Sequence, residues 1–182
     1  MRSKVYRQTS SKWRNIYYPT KNSRFGGNGC GCCSVLHVII ERDKYKAYTP
    51  KSIVKYMRKF AVPGQGTLWS GIKTALGHYG MKNVKWFTQD SKMADVFAEL
   101  NKGGRLGVIL FGSTPGPDGT IWTRGGHYIA FTGYKRKGGK HYFYLKDSGD
   151  RRHTGWYCYE KSMRGDVKQI WTCTLPKTAK AR

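Results

Sequence analysis

The chain has 182 residues, with 34 Lys and Arg against 10 Asp and Glu, and a formal net charge of +24. Hydrophobic residues make up 38% and aromatic ones 14%, enough to bury a core, which excludes low-hydrophobicity disorder despite the charge. The longest apolar run, Val35–Ile40, is broken by His37 and falls far short of the about 20 residues of a membrane-spanning helix, so no membrane span is expected.

Length suits a single domain over residues 1–182, with a basic tail at about 176–182. The N-terminal Met1-Arg-Ser-Lys-Val-Tyr-Arg-Gln8 lacks the apolar stretch and small-residue cleavage site of a secretory signal, so synthesis in the cytoplasm is expected. From there to Gly29 the sequence is polar, aromatic and turn-rich, a loop that delivers the chain to a helix. That helix, predicted over Cys33–Arg42, is apolar on most sides (Val35, Leu36, Val38, Ile39, Ile40), the pattern of a helix buried at the centre of its domain. Thr49-Pro50 opens a second helix carrying Ile53, Val54, Met57 and Phe60. Leu68–Tyr79 forms a third, with Ile72, Ala75, Leu76 and Tyr79 on one face and Gly80 as its stop. Asp90 is expected to cap a fourth, which carries Met93, Val96, Phe97 and Leu100.

The period then changes. Leu106–Phe111, His127–Tyr134, Lys140–Leu145 and Val167–Leu175 are short β-branched and aromatic runs that read as strands, with a hairpin turn at Lys137-Gly138-Gly139 and a polar loop over Ser113–Gly119. Helices followed by antiparallel strands make an α+β domain in which the apolar helix packs on the sheet.

Five cysteines, at positions 30, 32, 33, 158 and 173, are an odd and clustered set, unlike the even, spread set of a disulfide scaffold, so reduced thiols are expected. The charge draws polyanions: nucleic acid, bacterial wall polymers and anionic lipid surfaces are all suited to it. Lys and Arg are scattered, apart from clusters at Lys135–Lys140 and Arg151–Arg152 and the tail with Lys177, Lys180 and Arg182, and they carry no zinc-finger, ribonucleoprotein or helix-turn-helix motif. Composition therefore names a class of partner and no activity.

Chemistry enters with three local features: Gly29-Cys30-Gly31 at the mouth of the apolar helix, Gly125-Gly126-His127 at the start of a strand, and Leu145-Lys146-Asp147-Ser148 at the end of the next. Unsatisfied N–H groups at a helix N-terminus favour a thiolate, and flanking glycines are expected to let a substrate backbone approach it. An antiparallel hairpin brings the end of its second strand back beside the start of its first, which puts Asp147 within reach of His127. Singly, Cys30 reads as a small buried residue, His127 as a strand histidine and Asp147 as a turn residue. Together they read as a nucleophile, its base and the group that orients the base.

These residues also resemble a family. Gly29-Cys30-Gly31-Cys32-Cys33-Ser34-Val35-Leu36 is similar to the Gly-Cys-Gly-Pro-Thr-Ser-Leu-Ala signature of the double-glycine leader peptidase-like branch of papain-fold cysteine peptidases. Gly126-His127-Tyr128-Ile129, running on to Gly133-Tyr134, resembles that family's Gly-His strand, and Leu145-Lys146-Asp147-Ser148 its Asp-Pro element. Gln8, Ser10, Ser11 and Trp13 resemble the Gln-x-Asp-Pro-x-Trp segment that precedes the cysteine, so the likeness runs from about residue 6 to Asp147. It implies a papain-like α+β fold with Cys30 as nucleophile, His127 as base and then acid, Asp147 as orienter and Gln8 as oxyanion donor. Cys32 and Cys33 depart from the family's Pro and Thr, and read as small core residues of the helix.

Cys30, Cys32, Cys33 and His37, with Cys158 and Cys173, could also be taken for a metal cluster. The spacing argues against it, because Cys-x-Cys-Cys entering a helix points its thiols in different directions. No metal or cofactor is expected, and His78, His141 and His153 carry no motif. The resulting expectation is a cysteine peptidase acting on bacterial wall peptides as a lysin-type endopeptidase or amidase, with peptidoglycan as substrate. Its basic surface would hold teichoic acid or nucleic acid, and release by phage lysis or carriage in a virion would bring it to the wall. Two alternatives share the sequence: a protease cutting a protein or Gly-Gly leader, and a non-enzymatic basic module binding nucleic acid.

Overall fold

A computed structural model of the chain describes residues 4–176; the expected basic tail lies outside them from residue 177 on. A one-turn helix α1 (Phe25–Asn28) leads directly into α2 (Cys30–Ile39), followed by α3 (Pro50–Met57) and a small ribbon of β1 (Ala61–Val62) and β2 (Gly66–Thr67). Then come α4 (Trp69–His78), β3 (Lys82–Phe87), α5 (Met93–Leu100), β4 (Arg105–Phe111), β5 (His127–Lys137), β6 (Lys140–Lys146), β7 (Gly155–Cys158) and β8 (Val167–Thr174). The main sheet has the order β3-β8-β4-β5-β6-β7 and every neighbouring pair is antiparallel, so the molecule is of the mixed α+β class. Among the described residues no helix is long and apolar enough to cross a membrane.

Strand β4 reads as one continuous apolar run because both faces of the sheet are covered. Leu106, Val108 and Leu110 join α2, α3 and α4 in one core with Tyr128, Ala130 and Trp171. Ile109 and Phe111 point the other way, into a second core with Ile129, Phe131, Phe143 and Val96 and Leu100 of α5. All ten residues of α2 are buried, and the Ser34 hydroxyl fastens it to β5 by donating to the Tyr128 carbonyl at 2.9 Å. The β5–β6 hairpin turns on Gly138 and Gly139, both at positive φ (57° and 74°), the two-residue turn whose twist suits antiparallel strands.

Two expectations need correction. The buried helix spans Cys30–Ile39 rather than Cys33–Arg42: the Cys33 N–H already donates to the Gly29 carbonyl at 2.9 Å, so the low helical propensity of the glycines is overridden by burial. Asp90 does not cap α5. The chain turns over Thr88–Ser91, where Ser91 Oγ accepts from the Thr88 N–H at 3.0 Å, and the residue before the helix is Lys92, with no side-chain cap. Two further strands, β3 and β7, carry no strand pattern in the sequence, and both lie at the edges of the sheet: β3 exposes Lys82 and Asn83, while β7 has only four residues. Edge strands carry little hydrophobic signal because only one of their sides is paired.

Gly107 marks the tightest point between sheet neighbours, for a Cβ there would stand 1.8 Å from the Trp171 carbonyl oxygen and 2.9 Å from the Phe131 ring. Gly107→Ala is expected to cost about 1–3 kcal/mol of stability, the usual scale of overpacking, read as a lower urea midpoint with unchanged slope.

Candidate active site

The N-terminus of α2 is built around two places where no side chain fits. A Cβ on Gly29 would stand 2.6 Å from the Phe25 carbonyl oxygen, and one on Gly31 would stand 2.5 Å from Thr67 Oγ1. The glycines flanking the thiol are therefore demanded by packing, of Phe25 below and of the β1–β2 ribbon alongside.

Cys30 lies between them, 8% exposed. Burial opposes its ionisation, but the hydrogen bond and charge of His127, together with the N–H groups of Tyr128 and Gly31, outweigh it and hold the thiol below its ordinary value. Its neighbours behave oppositely: burial pushes Cys32 and Cys33 well up, and Cys173 up to about 12. One thiol of this buried set is thus prepared to be an anion.

His127 opens β5, and Asp147 follows directly on β6, whose register sets Lys146 opposite Ala130. His127 Nε2 and Asp147 Oδ1 are 2.7 Å apart, which leaves the second ring nitrogen, Nδ1, for the thiol. Burial works against an imidazolium here. The hydrogen bonds to Asp147 and Cys30 prevail and push His127 up to about 10. Asp147 is fully buried, yet held well below the usual carboxylate range, because His127 and His153 donate to it and the Gly149 N–H adds a bond of 2.6 Å. At neutral pH the site therefore holds an imidazolium and a carboxylate, with a thiol beside them whose ionisation they favour.

Gln8 is brought into the frame of this site. Its N–H donates to the Ser148 carbonyl (3.1 Å), its Oε1 accepts from Ser148 Oγ (2.9 Å) and its Nε2 donates to the Gly26 carbonyl (2.9 Å). One amide N–H is thus spent on the turn that precedes Cys30, and the second is left over. His37, a turn and more further along α2, is no part of a metal cluster: its Nε2 accepts from the Tyr6 N–H at 2.7 Å, and burial together with the nearby Lys146 charge drives it down to about 3.

His153, which carries no motif, stands beside Asp147. Its Nδ1 lies 3.2 Å from Asp147 Oδ2, on the opposite oxygen from His127. The signal that could have found it is the short return from β6 to β7. Asp150 caps a single turn, Arg151–His153, by accepting from the Arg152 N–H at 2.9 Å, and that turn folds His153 back over Asp147. Trp122, also unforeseen, lies under the imidazole at 4.8 Å between ring centres and stacks on Phe111 at 4.6 Å. Together with Thr123, Arg124, Arg152 and Tyr157, these residues line an open cleft of about 570 Å³ that reaches His127 and Asp147.

Compared with known proteins, the chain matches no family model and no curated sequence. The arrangement sets a thiol whose ionisation is favoured beside an imidazolium, and that imidazolium lines the open cleft.

Iodoacetamide at pH about 6 is expected to alkylate Cys30 ahead of the other four thiols, since an ordinary thiol of pKa about 8.5 is protonated there. Asp147→Asn removes the charge that keeps His127 protonated, so the onset of Cys30 alkylation moves to higher pH. Peptide mapping by mass spectrometry across a pH series measures both effects.

Proposed function

We propose that this protein is a cysteine peptidase of papain-like fold that hydrolyses amide bonds in bacterial wall peptides. The observation that carries the reading is the row Cys30, His127, Asp147, with the thiol at the mouth of a buried helix, the imidazole hydrogen-bonded to it, and the carboxylate 2.7 Å behind the imidazole. The division of labour between elements supports the fold assignment, since the thiol comes from a helix and the two other groups from the antiparallel sheet packed against it.

The reaction runs in two halves. Cys30 sulfur adds to the scissile carbonyl carbon, and the negative charge that develops on oxygen is met by the backbone N–H of Cys30 and the spare amide N–H of Gln8. His127 gives its proton to the nitrogen as the C–N bond breaks, releasing the amine and leaving a thioester on Cys30. Water then adds to the thioester with His127 taking its proton, and the C–S bond breaks to release the acid and restore the thiolate. Asp147 holds the ring in the orientation both halves need and stabilises its charged form.

Charge supplies the choice of substrate. A chain of +24 concentrates on polyanions, and a bacterial wall joins anionic teichoic acid to peptide stems rich in amide bonds. The basic surface binds the polymer and the triad cuts the stem. Arrival by phage lysis or in a virion accords with this.

Cys30→Ala and His127→Ala are each expected to lower amine release from purified wall sacculi by about a thousandfold or more, with folding and salt-dependent wall binding kept. A parent protein that releases no amine from sacculi, yet binds DNA or RNA with a steep salt slope, would overturn the peptidase in favour of a nucleic-acid-binding module.

A further inference from the structure

The cleft beside His127 has one wall formed by Thr120–Arg124, the stretch just ahead of β5, and another formed by the Gly149–His153 turn with Tyr157. Its floor is aromatic, for Trp122 is 4% exposed and stacked on Phe111. Two carboxylates face it and both are already matched. Asp147 is engaged by His127 and His153, and Asp150 by Arg152, whose Nε and Nη2 lie 3.0 and 2.6 Å from Oδ2. Arg124 is the exception. It is exposed at the cleft wall and has no hydrogen-bond or ion-pair partner among the described residues. The cleft thus carries one unmatched positive charge beside an apolar floor. Next to Arg124, the Thr123 hydroxyl accepts from the Gly125 N–H at 3.1 Å and keeps its own proton to donate.

Position gives this charge its meaning. His127 lines the cleft, and in the proposed reaction His127 protonates the departing amine, so the part of the substrate on the amine side of the bond lies here. We infer that the residue on the amine side of the scissile bond bears a carboxylate, which Arg124 binds with help from Thr123. A carboxylate suits the arrangement because a guanidinium fork can meet both its oxygens, and an amide in its place leaves the cation unmatched. The carboxylate can be the free terminus of a short peptide or an acidic side branch. This inference rests on the peptidase reading, because that reading fixes which side of the substrate enters the cleft.

Thiol-directed probes test it without the natural substrate. Bromoacetyl-glycine carries a terminal carboxylate, bromoacetyl-aspartic acid α-amide carries it on the side chain, and their carboxamide counterparts are uncharged. In each case the Cys30 sulfur bonds to the methylene carbon as the C–Br bond breaks and bromide leaves. In the parent, at least one acid is expected to alkylate Cys30 about fivefold or more faster than its matched amide, the scale of one partly exposed charge pair. Which acid is preferred tells a terminal carboxylate from a branch. Arg124→Gln is expected to abolish the preference. Lys140→Gln, the same loss of charge at the hairpin end far from His127, is expected to keep it.

Equal rates for acids and amides in the parent, or a preference that survives Arg124→Gln, overturns the inference. Iodoacetamide separates the two levels of argument. If Cys30 reacts with it ahead of the other thiols while acids gain nothing over amides, the nucleophile stands and the carboxylate site falls. If Cys30 shows no such lead, the nucleophile reading fails and takes the carboxylate site with it.

Discussion

Everything distinctive in this site depends on keeping charge where burial opposes it. Cys32, Cys33 and Cys173 show what burial chiefly does to a thiol, which is to push its pKa up. Cys30 escapes chiefly because His127 stands beside it, with the Tyr128 and Gly31 N–H groups adding to the effect, and His127 is held as a cation by Asp147 behind it and Cys30 in front. Asp147 in turn survives as a buried anion because it accepts from both histidines and from the Gly149 N–H. The sequence of dependence runs from the thiol, through the sheet, to the turn after β6. A network of this kind is stable when every member is matched and costly when one is removed, which makes the Gly149–His153 turn as much a part of the site as the helix that bears the cysteine.

The surrounding structure works to keep these parts in register. The segment before α1 is tied down at three points: Tyr6 to His37 on α2, Gln8 to both Ser148 and Gly26, and the Arg7 guanidinium to the Gly149 carbonyl. It thereby bridges the two halves of the site, the helix that carries the thiol and the loop that carries the carboxylate. Lys146, whose side chain is fully buried, donates to Glu41 just beyond α2, a second link between the end of β6 and that helix. Burial lowers the pKa of Lys146 while its carboxylate partner opposes the change. The lysine therefore locates β6 electrostatically next to the point where Asp147 must stand.

How much of this could be read from sequence follows from how local each feature is. The Cys30 position was legible because a helix mouth is a local property, and the His127–Asp147 approach because a tight hairpin converts closeness in sequence into closeness in space. The α+β order and the main strands followed from hydrophobic period, yet the edge strands Lys82–Phe87 and Gly155–Cys158 did not, since their outer sides face water or loops. His153 was missed because its role depends on a turn capped by Asp150, and one histidine six residues from an aspartate has no periodicity to announce it. The glycines around Cys30 have a packing role that the sequence does not announce. Their purpose is set by Phe25 and Thr67, and the Thr67 contact comes from a ribbon whose placement no local pattern fixes.

The charge of +24 and the chemistry of the site are separate properties, and the distribution of acids shows why. Few carboxylates exist, and among the described residues several are engaged by internal partners: Glu99 by Lys85, Lys102 and Arg105, Glu41 by Lys146, Glu160 by His141, and Asp150 by Arg152. Acids spent in this way cannot offset the remaining lysines and arginines, so the excess is expressed as a long-range positive field. Salt weakens that field within a Debye length of about 10 Å at 0.1 M, whereas the hydrogen bonds that join Cys30, His127 and Asp147 lie buried and hardly feel it. Ionic strength therefore acts on the long-range field and leaves the hydrogen bonds of the buried site alone. Arg124 belongs to both regimes, being an exposed cation with no partner among the described residues at the wall of the cleft that His127 lines, and under the proposed carboxylate site it is there that a general attraction for anions would become a choice among substrates.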